Sequence, residues 1–233
     1  MTNGYVKQTI EAPTIVYFAA SLFSYQELAG NILLAEAIER VSQGRYKIML
    51  PQNDKQDSDH GKDIRDHNFA SIAKCDMILI NYNGTEIDSG TVVEQQFTRD
   101  LDMPAVIVRT DFRRGGDCNL PFNLMAGYYP RTELVEINAM SELKIADAQV
   151  AKHLSIDDRN KQIQIQMADS IARKVLVALD NTITTSPLMP AEHRKQIHEW
   201  TITKMGIGPK YAADILASLK EQTVRDFSSR VYQ

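Results

Sequence analysis

At 233 residues, the chain has the length of one to one and a half typical domains and buries roughly 70% of its unfolded surface on folding, so its core needs no staple. Its 43% hydrophobic and 24% charged residues are those of a globular protein, and a net charge of −4 excludes a global positive field for nucleic acid or anionic membrane. Cys75 and Cys118 form neither metal-ligand spacing nor a disulfide framework.

The first thirteen residues are polar and lack the apolar centre of a secretory signal. No apolar run reaches membrane-spanning length, so the expectation is a cytoplasmic protein with no membrane partner. Residues 14–20 are a continuous β-branched and aromatic run, the pattern of a strand buried on both faces. A turn at 21–24 leads into a helix over 25–42, with Leu28, Ile32, Leu33, Ala35, Ile38 and Val41 at helical spacing and Gly44 ending it. Residues 46–50 read as a second strand and 52–62 as a polar loop. A helix over 63–74, a strand over 77–82, a helix over 89–102 and a strand over 104–109 follow.

Strands alternating with helices at this interval imply βαβ units and a parallel sheet. The expected fold is therefore α/β, doubly wound and flavodoxin-like, with helices on both faces. Residues 134–137 offer a fifth strand and 157–180 a long helix. The stretch 182–190, with two prolines, reads as a linker, which divides the chain into an α/β domain over 1–181 and a helical C-terminal extension over 182–233. The charge balance agrees, since residues 1–130 carry 12 basic and 17 acidic side chains and the remainder 14 and 13.

Ligands of open parallel sheets gather at the carboxyl ends of the strands. That rim collects Tyr17 and Phe18 from the first strand and Gln52 after the second. The heptad Asp88-Ser89-Gly90-Thr91-Val92-Val93-Glu94 follows the third, and Arg113 and Arg114 follow the fourth. Asp88 or Ser89 suits a helix N-cap, Gly90 leaves room against the first turn, and Glu94 falls in the second turn. The positive end of a helix favours an ionised Glu94. A phenol, an amide and two carboxylates suit a neutral, hydroxyl-bearing ligand better than a polyphosphate. No glycine-rich phosphate loop, nucleophile elbow or histidine pair is present, so neither a cofactor nor a metal is expected.

These segments, in this order, resemble the nucleoside 2-deoxyribosyltransferases. The residues concerned are 15–23 (IVYFAASLF), Leu50-Pro51, 73–79 (AKCDMIL), Asp88-Ser89-Gly90-Thr91-x-x-Glu94 and Asn123-Leu124-Met125. The resemblance covers about residues 14–127 and less securely the long helix. It implies that Glu94 is a nucleophile attacking the anomeric carbon of a 2′-deoxynucleoside. It further implies that Tyr17 orients that carboxylate, that Asp88 handles the nucleobase, and that Asn123 with Met125 belongs to a sugar-contacting segment supplied by a neighbouring subunit. The partners it implies are nucleosides and free nucleobases, handled by a homo-oligomer with shared sites. Since unperturbed carboxyls near pKa 4 are both ionised at pH 7, one of the pair must be raised, and the expectation is Asp88. The chain departs from the family at Asn68, eight residues before Asp76, where family members commonly carry an aspartate; Asp66 lies two residues earlier.

Residues 205–216 (MGIGPKYAADIL) resemble a helix-hairpin-helix element. A single copy with modest positive charge is a weak basis for nucleic-acid binding, and Ile197, Trp200 and Ile202 are expected to dock the extension on the core or on a neighbouring subunit. Two other functions stay open at this point. One is an N-glycoside hydrolase of nucleosides or nucleoside 5′-monophosphates, with the Arg113 region holding phosphate. The other is a nucleotide- or DNA-binding module without turnover.

Overall fold

Four strands carry almost only apolar side chains and pair in parallel, which leaves both sheet faces to be covered by helices. The computed structural model describes residues 12–55, 58–116 and 118–222. Strands β1 (Thr14–Ala19), β2 (Tyr46–Met49), β3 (Met77–Asn81), β4 (Ala105–Arg109) and β5 (Thr132–Glu136) form one sheet in the order β2-β1-β3-β4-β5. All four pairings are parallel; Tyr17 lies opposite Met49 on one side and Ile78 on the other. The expected doubly wound α/β architecture is observed.

Alternation along the strands sorts the core into two halves. On one face Val16, Phe18, Met77, Leu79, Val106 and Val108 pack against helices α1 (Tyr25–Val41) and α5 (Ile156–Ile183). A capping box at Ser24 and Glu27 starts α1, satisfying two of the free amides of its first turn. On the other face Tyr17, Ala19, Ile78, Ile80 and Ile107 meet helices α2 (Gly61–Ala73) and α3 (Ser89–Asp100).

Helix α4 (Ala139–Gln149), which the sequence pattern does not announce, packs on α5 and buries only Glu142 and Ala146. Glu142 accepts from Ser170 and Lys174 of α5. Two helices make up the described part of the extension, α6 (Ala191–Lys204) and α7 (Pro209–Gln222). Ile202, Ile207, Tyr211, Ile215 and Leu219 join the α2/α3 half of the core.

Contacts in this region show how the extension is held. The stretch read as a linker is pinned: α5 runs on to Ile183, and Asp102 Oδ2 accepts from the amides of Leu188 and Met189, each at 2.8 Å. Of the residues expected to dock, Ile202 is buried with His198 and Thr201 on the inner side of α6, while Trp200 is 64% exposed on the single chain.

Candidate active site

Strand β1 delivers Tyr17 to the sheet face covered by α2 and α3, and α3 delivers Glu94 to meet it. Asp88 is the N-cap of α3, its Oδ2 accepting from the Thr91 amide at 2.7 Å and from Thr91 Oγ1 at 2.9 Å. A Cβ at Gly90 would stand 3.1 Å from that Asp88 oxygen, so a side chain there would press on the cap. Glu94 lies six residues beyond the cap, and its Oε1 accepts from Tyr17 Oη at 2.7 Å. Tyr17 is 1% exposed. The two residues are 77 positions apart in the chain.

Burial raises the Glu94 carboxyl to about 7; the Tyr17 hydrogen bond pulls it back down, and the Asp88 charge adds to the rise. Burial likewise pushes the Tyr17 phenol well above its ordinary value, helped by the adjacent Glu94 carboxylate. The carboxyl of raised proton affinity is therefore Glu94, where the sequence led us to expect Asp88. The physical reason is depth. Glu94 sits beyond the first turn, where the helix terminus no longer offsets desolvation.

The loop carrying Asp88 is held from β4. Arg109, 2% exposed, donates to the carbonyls of Tyr82, Gly84 and Arg113. Asn83 Oδ1 accepts from the amides of Thr110 and Asp111 at 2.7 and 3.1 Å. On α3 the buried Gln95 accepts from Tyr82 Oη at 2.7 Å and donates to the Ala126 carbonyl at 3.1 Å. That contact seats the short 3-10 turn Leu124–Ala126 on α3. Asn123 caps this turn by accepting from the Met125 amide at 2.9 Å; its side chain is exposed, and Met125 is 74% exposed.

Other expected residues are placed less uniformly. Gln52 donates to the Leu28 carbonyl at 3.1 Å, and its buried Oε1 has no protein partner among the described residues. Asn68 is half-buried on α2. Phe18 is 0% exposed and belongs to the α1/α5 half of the core, on the opposite sheet face from Tyr17. It packs and does not line the site, because neighbouring residues of a strand point to opposite faces. Arg113 is engaged by Asp111, and Arg114 by Glu136 at 3.2 Å.

Asp66 is 1% exposed and anchors the extension: it pairs with Lys62 and Arg65, each at 2.6 Å, and accepts from the Gly208 amide at 2.8 Å. The Gly208 amide of the hairpin-like turn is thus already spent on a carboxylate within the chain.

The sequence reading overlooked Asp54, His67 and Ser71. Asp54 Oδ2 accepts from His67 Nε2 at 2.9 Å and from Ser71 Oγ at 2.8 Å. The available signal was the i, i+4 spacing of His67 and Ser71, which puts both on one face of α2. Among the described residues no cluster of side chains is suited to a metal ion, and no helix is long and apolar enough to cross a membrane.

Residues 16–125, just under half of the chain, match the family model described as nucleoside 2-deoxyribosyltransferase. The matched segment contains Tyr17, Asp88 and Glu94, so the resemblance read from the sequence holds across the part of the fold that builds this site. Among solved structures the chain is similar to a conserved protein from Enterococcus faecalis V583, at 24% identity and TM-score 0.45, over 54% of this chain and 92% of that one. It is also similar to the 2-desoxiribosyltransferase from Leishmania mexicana, at 21% identity and TM-score 0.41, over 50% of this chain and 87% of that one. No curated protein matches the chain.

Proposed function

We propose that this protein transfers 2-deoxyribose between nucleobases through a covalent glycosyl-enzyme on Glu94. The observation that carries the reading is the 2.7 Å hydrogen bond from the buried Tyr17 hydroxyl to Glu94 Oε1, inside the segment that matches the family. That bond fixes the carboxylate and leaves Oε2 as the attacking atom. Glu94 Oε2 bonds to C1′, the C1′–N bond breaks, and its electron pair leaves with the base, which takes a proton from solvent. A second base then attacks C1′ through a ring nitrogen that gives up its proton to solvent, the C1′–Oε2 bond breaks to release the carboxylate, and the configuration is retained overall.

Tyr17 has two tasks in this scheme. Its hydroxyl stabilises the ionised form of a carboxyl that burial would otherwise keep protonated, and it holds the attacking geometry. Asp88, with Oδ2 committed to the helix cap and Oδ1 without a protein partner among the described residues, serves as an acceptor for a substrate N–H or O–H. The exposed Asn123 and Met125 suit a sugar-contacting segment lent to the site of a second subunit in a homo-oligomer.

Incubation with deoxyinosine and free adenine tests the reading. Deoxyadenosine is the expected product, and it should vanish with Glu94→Ala. Free deoxyribose alone would make the protein a hydrolase. No turnover of any deoxynucleoside or deoxynucleotide would leave a binding module.

A further inference from the structure

The Asp54 side chain makes no hydrogen bond to Tyr17 or Glu94; its partners are His67 and Ser71. It follows the short 3-10 turn Pro51–Asn53, which touches β1, and the preceding strand residue Met49 is the register partner of Tyr17. The Asp54 charge reaches the Tyr17 phenol. One oxygen, Oδ2, is held by His67 and Ser71 from α2, and Tyr211 of α7 packs edge-on against the His67 ring at 6.2 Å between centroids. The other oxygen, Oδ1, has no protein partner among the described residues, and the side chain is 30% exposed. A carboxylate clamped by two donors on one oxygen and open on the other is a fixed acceptor, oriented before any ligand arrives.

We propose that Asp54 is a specificity-determining residue of the transfer site, its free oxygen accepting from an exocyclic amino group of the nucleobase while His67 and Ser71 hold its other oxygen. This rests on the transferase reading above. Burial pushes the Asp54 carboxyl up, yet the hydrogen bonds from Ser71 and His67 outweigh it and hold the group below the usual carboxylate range. Asp54 is therefore an anion at working pH and has no proton to donate. Such a group favours an edge that presents N–H and disfavours one that presents a carbonyl oxygen, whose lone pairs would face its negative charge. The site should prefer adenine over hypoxanthine and cytosine over uracil, pairs that differ by one amino-to-carbonyl exchange. The Tyr17–Glu94 hydrogen bond does not involve Asp54, so a substitution there leaves the proposed nucleophile and its hydrogen-bond donor in place.

The test compares kcat/KM for deoxyadenosine against deoxyinosine, and for deoxycytidine against deoxyuridine, in the full-length protein and in Asp54→Asn. The expected result is a loss of about ten- to a hundredfold for the amino-bearing members and less than about threefold for the carbonyl-bearing ones, the range of a hydrogen bond to a charged group. Ser71→Ala, which frees Oδ2 without removing the charge, should erode the same preference by a smaller factor. An equal loss for both members of each pair, or no change in either, overturns the inference and leaves the transferase reading standing. Absence of any turnover in the unmodified protein overturns that reading, and this inference falls with it.

Discussion

The two faces of the sheet are built from the same five strands and end up chemically unlike. The face under α1 and α5 is closed by ordinary apolar packing around Val16, Phe18, Leu79 and Val106. The face under α2 and α3 buries hydroxyl, amide and carboxyl groups among its apolar side chains: Tyr17, Tyr82, Gln95 and, partly, Glu94. Each is answered by a specific partner, which is what keeps such a core from being unstable. Consecutive residues show the contrast most plainly, Phe18 closing one side and Tyr17 donating a hydroxyl hydrogen bond on the other. One face is closed by apolar packing, and the other gives up some stability to hold a buried carboxyl group of raised pKa.

The sharpest way to break this comparison is a substitution on each side. Glu94→Gln should lower exchange by about 10³-fold or more, as loss of a nucleophile does, while making the fold more stable above pH 7. The sign follows from the raised carboxyl. The folded state holds a proton that the unfolded chain releases near its ordinary value, so Glu94's contribution to stability declines as pH rises to about 7. Thermal melts across pH 5 to about 8 should show that decline in the unmodified protein and its loss in the glutamine variant. Phe18→Ala should do the opposite, costing about 3–5 kcal/mol in denaturant titrations with the rate per folded molecule unchanged. A variant that traded these outcomes would erase the distinction between the faces.

Tyr17→Phe is the milder and more informative change. It removes one hydrogen bond to a charged group, worth about 1.5–3 kcal/mol, and leaves the ring in place. The rate should fall by about one to two orders of magnitude. Because that bond lowers the Glu94 pKa, its removal should also move the acid limb of the rate profile from near pH 7 toward higher pH. A rate loss with an unmoved limb would separate Tyr17 from the ionisation of Glu94.

Much of the fold was legible because strands buried on both faces leave unbroken apolar runs, as at 77–80 and 105–108. Helix α4 was not, because it buries only Glu142 and Ala146 while exposing Met140, Leu143 and Ile145, so no apolar stripe marks it. Which of Ile197, Trp200 and Ile202 reaches the core was not legible either, since the rotation of α6, which buries Ile202 and exposes Trp200 on the single chain, is a property of the fold. In the site, the heptad 88–94 was visible as a cap followed by a carboxylate, but the pairing of Glu94 with Tyr17 came through family resemblance. The raised carboxyl was assigned to Asp88 because depth of burial is a property of the assembled fold. Phe18 was the avoidable error: the two-residue period of a strand already separates it from Tyr17. The clamp of Asp54 by His67 and Ser71 joins a loop to a helix, and only the folded chain brings them together.

The most direct test of the central claim is mass spectrometry after brief exposure to a slowly reacting 2′-fluoro-2′-deoxynucleoside, followed by proteolysis. The account predicts a sugar-sized mass increment on the peptide containing Glu94 and none in Glu94→Gln. Nucleoside turnover with the increment on another residue, or with no increment at all, would contradict it.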